Sequence, residues 1–149
     1  MPAATDPSVL GGELATQAAR FVRTLRRELD IPASARVLSV LDEHGPSGVT
    51  SLASAYGCTQ PTMSALVAQL VEQGWTEKSP HPTDTRSTLV SLTPAGHSEL
   101  ARVRRLNGEH VAARLAEHPT LTTAQLRTAV EVLRVLVPAP ETQTGSTSS

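Results

Sequence analysis

Apolar side chains recur at steps of three and four along most of the chain, which predicts a mainly helical structure. Leu14, Ala18, Phe21, Leu25 and Leu29 share one face, and Arg20, Arg23, Arg26 and Arg27 fill much of the remainder, giving a first helix over about 12–29. After Pro32 a second apolar run, Val37, Leu38, Val40 and Leu41, ends at Gly45-Pro46, a helix stop. Thr50 is placed to cap a short helix over 51–56 that Gly57 closes. Thr59 and Pro61 open a further helix over 60–73, in which Met63, Leu66, Val67, Leu70 and Val71 form the apolar stripe. Its outward positions, Gln60, Thr62, Ser64, Ala65, Ala68 and Gln69, are all small or amide-bearing. Two extended pieces, 75–78 and 88–92, flank a turn-rich stretch, SPHPTDTRS, and predict a hairpin with a long tip. Thr93-Pro94 starts a long helix that runs to about Glu117. Thr122 and Gln125 form a capping box for a last helix over 123–136, with Leu121 and Leu126 in staple positions. That helix is apolar around more of its circumference than a monomer surface requires, which suggests burial against another chain.

The order is helix, helix, short helix, helix, hairpin, long helix, helix. A short capped helix, a tight turn and a second helix with small polar residues at its start is a helix-turn-helix pattern, and the hairpin after it supplies a wing. A helix of this kind fits the major groove of B-DNA, where Gln60, Thr62 and Ser64 can reach base edges. Thr59 and the helix N-terminus can face a phosphate.

Composition narrows the alternatives. The 149 residues carry 13 Lys+Arg against 14 Asp+Glu, a net charge of −1, so bulk positive charge alone does not drive binding to nucleic acid or membrane. One cysteine, Cys58, excludes an intrachain disulfide framework and a Cys-cluster zinc site. No apolar run approaches a membrane span, and 1–10 lacks the pattern of a signal peptide, so a reducing cytoplasm is expected. Phe21, Tyr56 and Trp75 are the only aromatic residues, which makes the core aliphatic. The segments 1–9 and 138–149 are poor in core-forming side chains and are expected to be loose, leaving one domain over 10–137.

The stretches GVTSLASAYGCTQPTMSALVAQLVEQGW and HPTDTRSTLVSLTPAG resemble the MarR family of winged-helix transcription factors, most specifically at Asp84-x-Arg86-Ser87 and Leu92-Thr93-x-x-Gly96. The resemblance implies a winged helix-turn-helix lobe over 33–96 flanked by N- and C-terminal dimerisation helices, 10–31 and 97–137. It implies a homodimer, more a repressor than an activator, on a pseudo-palindromic double-stranded DNA operator. Helix 60–73 would lie in the major groove. Arg86 would enter the minor groove, whose negative potential suits a guanidinium, and Asp84 would orient Arg86 through a salt bridge. The candidate DNA-contacting residues are Thr50, Thr59, Gln60, Pro61, Thr62 and Ser64 on the helices, with Lys78, Asp84, Arg86 and Ser87 on the wing. Many relatives are released from DNA by small aromatic or phenolic anions, so a small aromatic or anionic effector is a further expected partner.

The sequence departs from the family where arginines often follow the serine of the recognition helix; here stand Ala65, Ala68 and Gln69. Over 33–96, three basic residues (Arg36, Lys78, Arg86) face five acidic ones (Asp42, Glu43, Glu72, Glu77, Asp84), a balance of −2. A DNA-binding module normally shows a basic footprint. A shallower salt dependence is therefore expected, and a winged-helix protein-interaction module that does not use DNA is the competing reading. Cys58 is either a small core residue or an oxidant-sensitive thiol near a helix N-terminus. Arg102, Arg104 and Arg105 form either a solvated face or a cationic patch. The five histidines show no metal-ligand spacing. No nucleophile elbow, phosphate loop or paired-carboxylate cleft occurs, so neither enzyme activity nor a cofactor or metal is expected.

Overall fold

The computed structural model describes residues 6–138 and divides the chain into two units, at Pro32 and Ala33. The expectations for 1–5 and 139–149 lie outside the described residues.

The first unit is one helix, α1, Pro7–Glu28. It begins five residues earlier than the periodicity predicts, so residues 7–9 are helical. The Asp6 carboxylate caps it, accepting from the Ser8 N–H at 2.9 Å and the Ser8 hydroxyl at 2.8 Å, and Pro7 fills the first turn. Those two bonds, the backbone one foremost, hold the Asp6 carboxyl below the usual carboxylate range. Gly11-Gly12 lies inside the helix rather than at its start. Two interior glycines cost about 1 kcal/mol each and do not break a helix. The helix closes with Asp30 in the left-handed region (φ 49°) and the Ile31 N–H donating to the Arg26 carbonyl.

The second unit contains α2 (Ala33–His44), α3 (Val49–Tyr56), α4 (Gln60–Glu72), β1 (Thr76–Pro80), β2 (Thr88–Leu92), α5 (Pro94–Ala116) and α6 (Thr123–Leu136). Its core is aliphatic. Val37, Leu38 and Leu41 of α2 meet Leu52 of α3, Met63, Val67 and Leu70 of α4, Val90 of β2 and Leu100 of α5. Val71, placed on the apolar stripe from sequence, is exposed, because it sits at the stripe's edge.

β1 and β2 pair antiparallel, with Thr76 opposite Leu92 and Pro80 opposite Thr88. Ser47 adds a bridge: its N–H donates to the Val90 carbonyl at 3.0 Å and its carbonyl accepts from Val90 at 2.9 Å. The loop after α2 is thereby tied to the wing. The first strand starts one residue later and runs two residues further than predicted.

Leu92-Thr93-x-x-Gly96 is the joint between wing and α5. The Thr93 N–H donates to the Trp75 carbonyl at 3.1 Å, and its hydroxyl donates to the Gly74 carbonyl at 2.6 Å while accepting from the Gly96 N–H at 3.0 Å. A Cβ on residue 96 would lie 2.0 Å from the Trp75 carbonyl oxygen, so only glycine admits this approach.

α6 starts at the capping box: Thr122 Oγ1 accepts from the Gln125 N–H at 3.2 Å and Gln125 Oε1 accepts from the Thr122 N–H at 2.8 Å. None of its residues is buried, although it carries Leu126, Val130, Val132, Leu133, Val135 and Leu136. Among the described residues no helix is long and apolar enough to cross a membrane.

Candidate nucleic-acid interface

α3, the turn at Gly57 and α4 form the helix-turn-helix. Gly57 takes the left-handed conformation (φ 83°) that closes α3, and its N–H donates to the Ala53 carbonyl. Gly48, not Thr50, is the N-cap of α3, and it supplies no side-chain bond; Thr50 is exposed within the first turn. The preceding glycine offers the chain the extended conformation a cap needs without the side-chain oxygen that marks one in sequence.

α4 is capped by Thr59, whose Oγ1 accepts from the Thr62 N–H at 3.4 Å and pairs with the Thr62 hydroxyl at 2.9 Å. Pro61 sits in the first turn. Met63, Val67 and Leu70 point into the core, which fixes the rotation of the helix. That rotation leaves Gln60, Pro61, Thr62, Ser64, Ala65, Ala68 and Gln69 exposed together on the opposite face. Cys58 packs half-buried against the core, with its thiol donating to the Thr59 carbonyl at 3.4 Å.

At the wing, Lys78 is exposed on β1, and Asp84, Arg86 and Ser87 share one turn at the tip. The Ser87 N–H donates to the Asp84 carbonyl at 3.0 Å. Asp84 Oδ1 accepts from the Arg86 N–H at 3.1 Å and Oδ2 from the Ser87 hydroxyl at 2.8 Å. This corrects the expected salt bridge. Asp84 holds Arg86 through its backbone, and the guanidinium is left exposed. A carboxylate two residues before an amide is within easy reach of it, whereas an ion pair would immobilise a long side chain for little gain. The Ser87 hydroxyl and the Arg86 N–H keep the Asp84 carboxyl below the usual carboxylate range.

Sequence reasoning missed two contacts that shape this lobe. Arg36 lies over the Tyr56 ring, 4.3 Å from its centroid, and the Tyr56 hydroxyl donates to the Ala33 carbonyl at 3.4 Å. A basic and an aromatic residue 20 positions apart give no local pattern.

The basic cluster on α5 is paired. Arg102 binds Glu99 with two bonds, 2.7 and 2.8 Å, Arg104 binds Asp42 of α2 at 2.8 Å, and Arg105 lies 3.6 Å from Glu109. Glu99, largely covered, is held below the usual carboxylate range chiefly by the Arg102 hydrogen bonds. With each guanidinium facing a carboxylate, this face is not a concentrated cationic patch. Among the described residues, no group of three or more His, Cys, Asp or Glu side chains is placed to hold a metal ion.

The MarR family model matches residues 32–88. The chain is 31% identical over 132 residues, 86% of its own length and 92% of the relative's, to an uncharacterised HTH-type transcriptional regulator, Mb0904, of Mycobacterium bovis. The chain belongs to the MarR family. Among other relatives, the HTH-type transcriptional repressor IacR of Pseudomonas putida is 27% identical over 95 residues, 60% of this chain and 56% of IacR. The fold matches that of an E. coli MarR mutant crystallised with operator DNA, with a TM-score of 0.55 and 23% identity over 88% of this chain and 93% of that one. The helix-turn-helix, the hairpin wing and the flanking helices of this chain are thus those of a MarR-family transcriptional regulator.

Proposed function

We propose that this protein is a sequence-specific, homodimeric DNA-binding regulator, acting as a repressor on a pseudo-palindromic operator. One observation carries the reading. A helix rotated by its own core contacts exposes a small, polar face from a capped N-terminus, on the same lobe as a wing whose tip bears an exposed arginine. Gln60, Thr62 and Ser64 read base edges in the major groove. Thr59, Thr50 and the α4 N-terminus, with Pro61 packed beside them, meet phosphates. Arg86 enters the minor groove, supported by Asp84 and Ser87, and Lys78 meets the backbone beside it.

The exposed apolar residues of α6 support a second copy of the chain as partner, since a helix of this composition is normally covered. A two-fold dimer places equivalent helices about one turn of DNA, roughly 34 Å, apart. The repressor IacR among the relatives supports the sign of regulation. A small aromatic or anionic effector would act by binding a dimer conformer unsuited to DNA better than the DNA-bound one.

The balance of −2 over 33–96 favours one other reading, a winged-helix module that docks on protein. Selection of a randomised duplex pool by the purified protein separates the two. Enrichment of an inverted-repeat sequence is the expected result; an unchanged pool overturns the DNA reading.

A further inference from the structure

The wing tip contains a residue whose chemistry neither the motif nor the proposed contacts use. His81 ends the β1 side of the hairpin, and its N–H donates to the Ser87 carbonyl at 3.0 Å. It is partly buried, whereas residues 82–88 are all exposed. Its ring Nδ1 lies 3.2 Å from three donors: the Thr83 N–H, the Asp84 N–H and the Thr83 hydroxyl. A backbone N–H only donates, so Nδ1 must present its lone pair and the ring proton must sit on Nε2. The histidine thus plays the part that an aspartate or asparagine oxygen plays when it accepts from amides two and three residues ahead.

The consequence reaches Arg86 through the chain. His81 fixes the amide of Asp84. Asp84 then fixes the amide of Arg86 and the hydroxyl of Ser87, and Ser87 returns its carbonyl to the His81 N–H. The exposed tip has no core to order it, so this ring of bonds is what holds its shape.

We propose that His81, in its Nε2–H form, is the positioning residue of the wing: it presets the turn that aims Arg86, and operator affinity depends on its Nδ1 as an acceptor. This rests on the DNA-binding reading for its last step only.

Two variants and two readouts test it, on the full-length protein in one buffer at one fixed pH. Nitrogen-15 NMR reads the His81 tautomer and hydrogen exchange reads the Thr83 and Asp84 amides, both without DNA. Affinity is measured on a duplex enriched from a random pool by the wild-type protein. The Nε2–H tautomer is expected in the wild type. His81→Asn, which keeps an acceptor near the Nδ1 position, should retain the slow amides and the affinity. His81→Ala should exchange those amides about tenfold faster and bind roughly tenfold more weakly, as for the two amide bonds and the hydroxyl bond lost from a preorganised tip. An Nδ1–H tautomer, unchanged amides in His81→Ala, or equal binding by His81→Ala overturns the proposal. So does failure of His81→Asn to restore either property. If the wild type enriches no duplex, the DNA-binding reading fails and the link to affinity with it, while the exchange arm still decides whether His81 sets the tip.

Discussion

Replacing Gly96 by alanine tests the joint between wing and α5. The added Cβ would stand 2.0 Å from the Trp75 carbonyl oxygen and 3.0 Å from its carbon, where ordinary contact begins at 3.4 Å. Both atoms are backbone, so no rotamer change relieves the clash. The start of α5 must retreat by about 1.4 Å to reach ordinary contact, which stretches the Thr93 bonds to Trp75 and Gly74 and the cap on Gly96. Overpacking of this kind costs about 1–3 kcal/mol, and three hydrogen bonds, stretched but not broken, add about 2 kcal/mol together. Alanine's better helix propensity returns about 1 kcal/mol. The expected net loss is about 2–4 kcal/mol, a fall in Tm of roughly 5–15 °C for a chain of this size. Thermal and urea unfolding followed by circular dichroism, at one fixed chain concentration, measures it. Gly108→Ala is the control, because it lies in the same helix with nothing within 4 Å of its added Cβ, and it should be neutral or slightly stabilising. A Gly96→Ala protein that melts within about 2 °C of the wild type would show that the joint takes a side chain at residue 96 without cost.

Thr76 is buried at 2% exposure and its hydroxyl has no hydrogen-bond partner, so Thr76→Val should stabilise by about 1 kcal/mol in urea titrations; a loss would show that the hydroxyl is satisfied. Arg86→Ala should weaken operator binding by about 1–3 kcal/mol at fixed salt without changing Tm, and an unchanged Kd would remove the wing from the interface. With few cations on the lobe, a log–log plot of affinity against salt should be shallower than about −8. The carboxyls of Asp6, Asp84 and Glu99 all sit below their ordinary values, so the folded chain binds fewer protons there than the unfolded one. Their contribution is complete above about pH 5 and is lost as pH falls through the lowered values; a Tm that rises on acidification below about pH 4 would contradict this.

The helix boundaries set by side-chain caps are legible directly, because Thr59, Thr93 and Thr122 each pair a short polar acceptor with the amide three positions on. The start of α1 was hidden behind Gly11-Gly12, although Asp6-Pro7 carries an equally local cap. Gly48 leaves no side-chain mark, so the sequence pattern points to Thr50 as the cap of α3. At the wing, the pairing of Asp84 with Arg86 was visible in their spacing, but the atoms involved were not, since spacing does not distinguish an amide from a guanidinium. His81 carries no local signal, because a histidine acts as a turn-forming acceptor only in a specific tautomer and tip geometry. The charge on α5 required the fold: the partner of Arg104 is Asp42, 62 residues away.

The mass of the complex formed between the full-length protein and its enriched duplex, combined with hydroxyl-radical footprinting, probes the central idea most directly. Two chains per duplex, protecting two equivalent sites about 34 Å apart, is the outcome the account requires. A single chain on the DNA, or one contiguous unsymmetrical footprint, would contradict it.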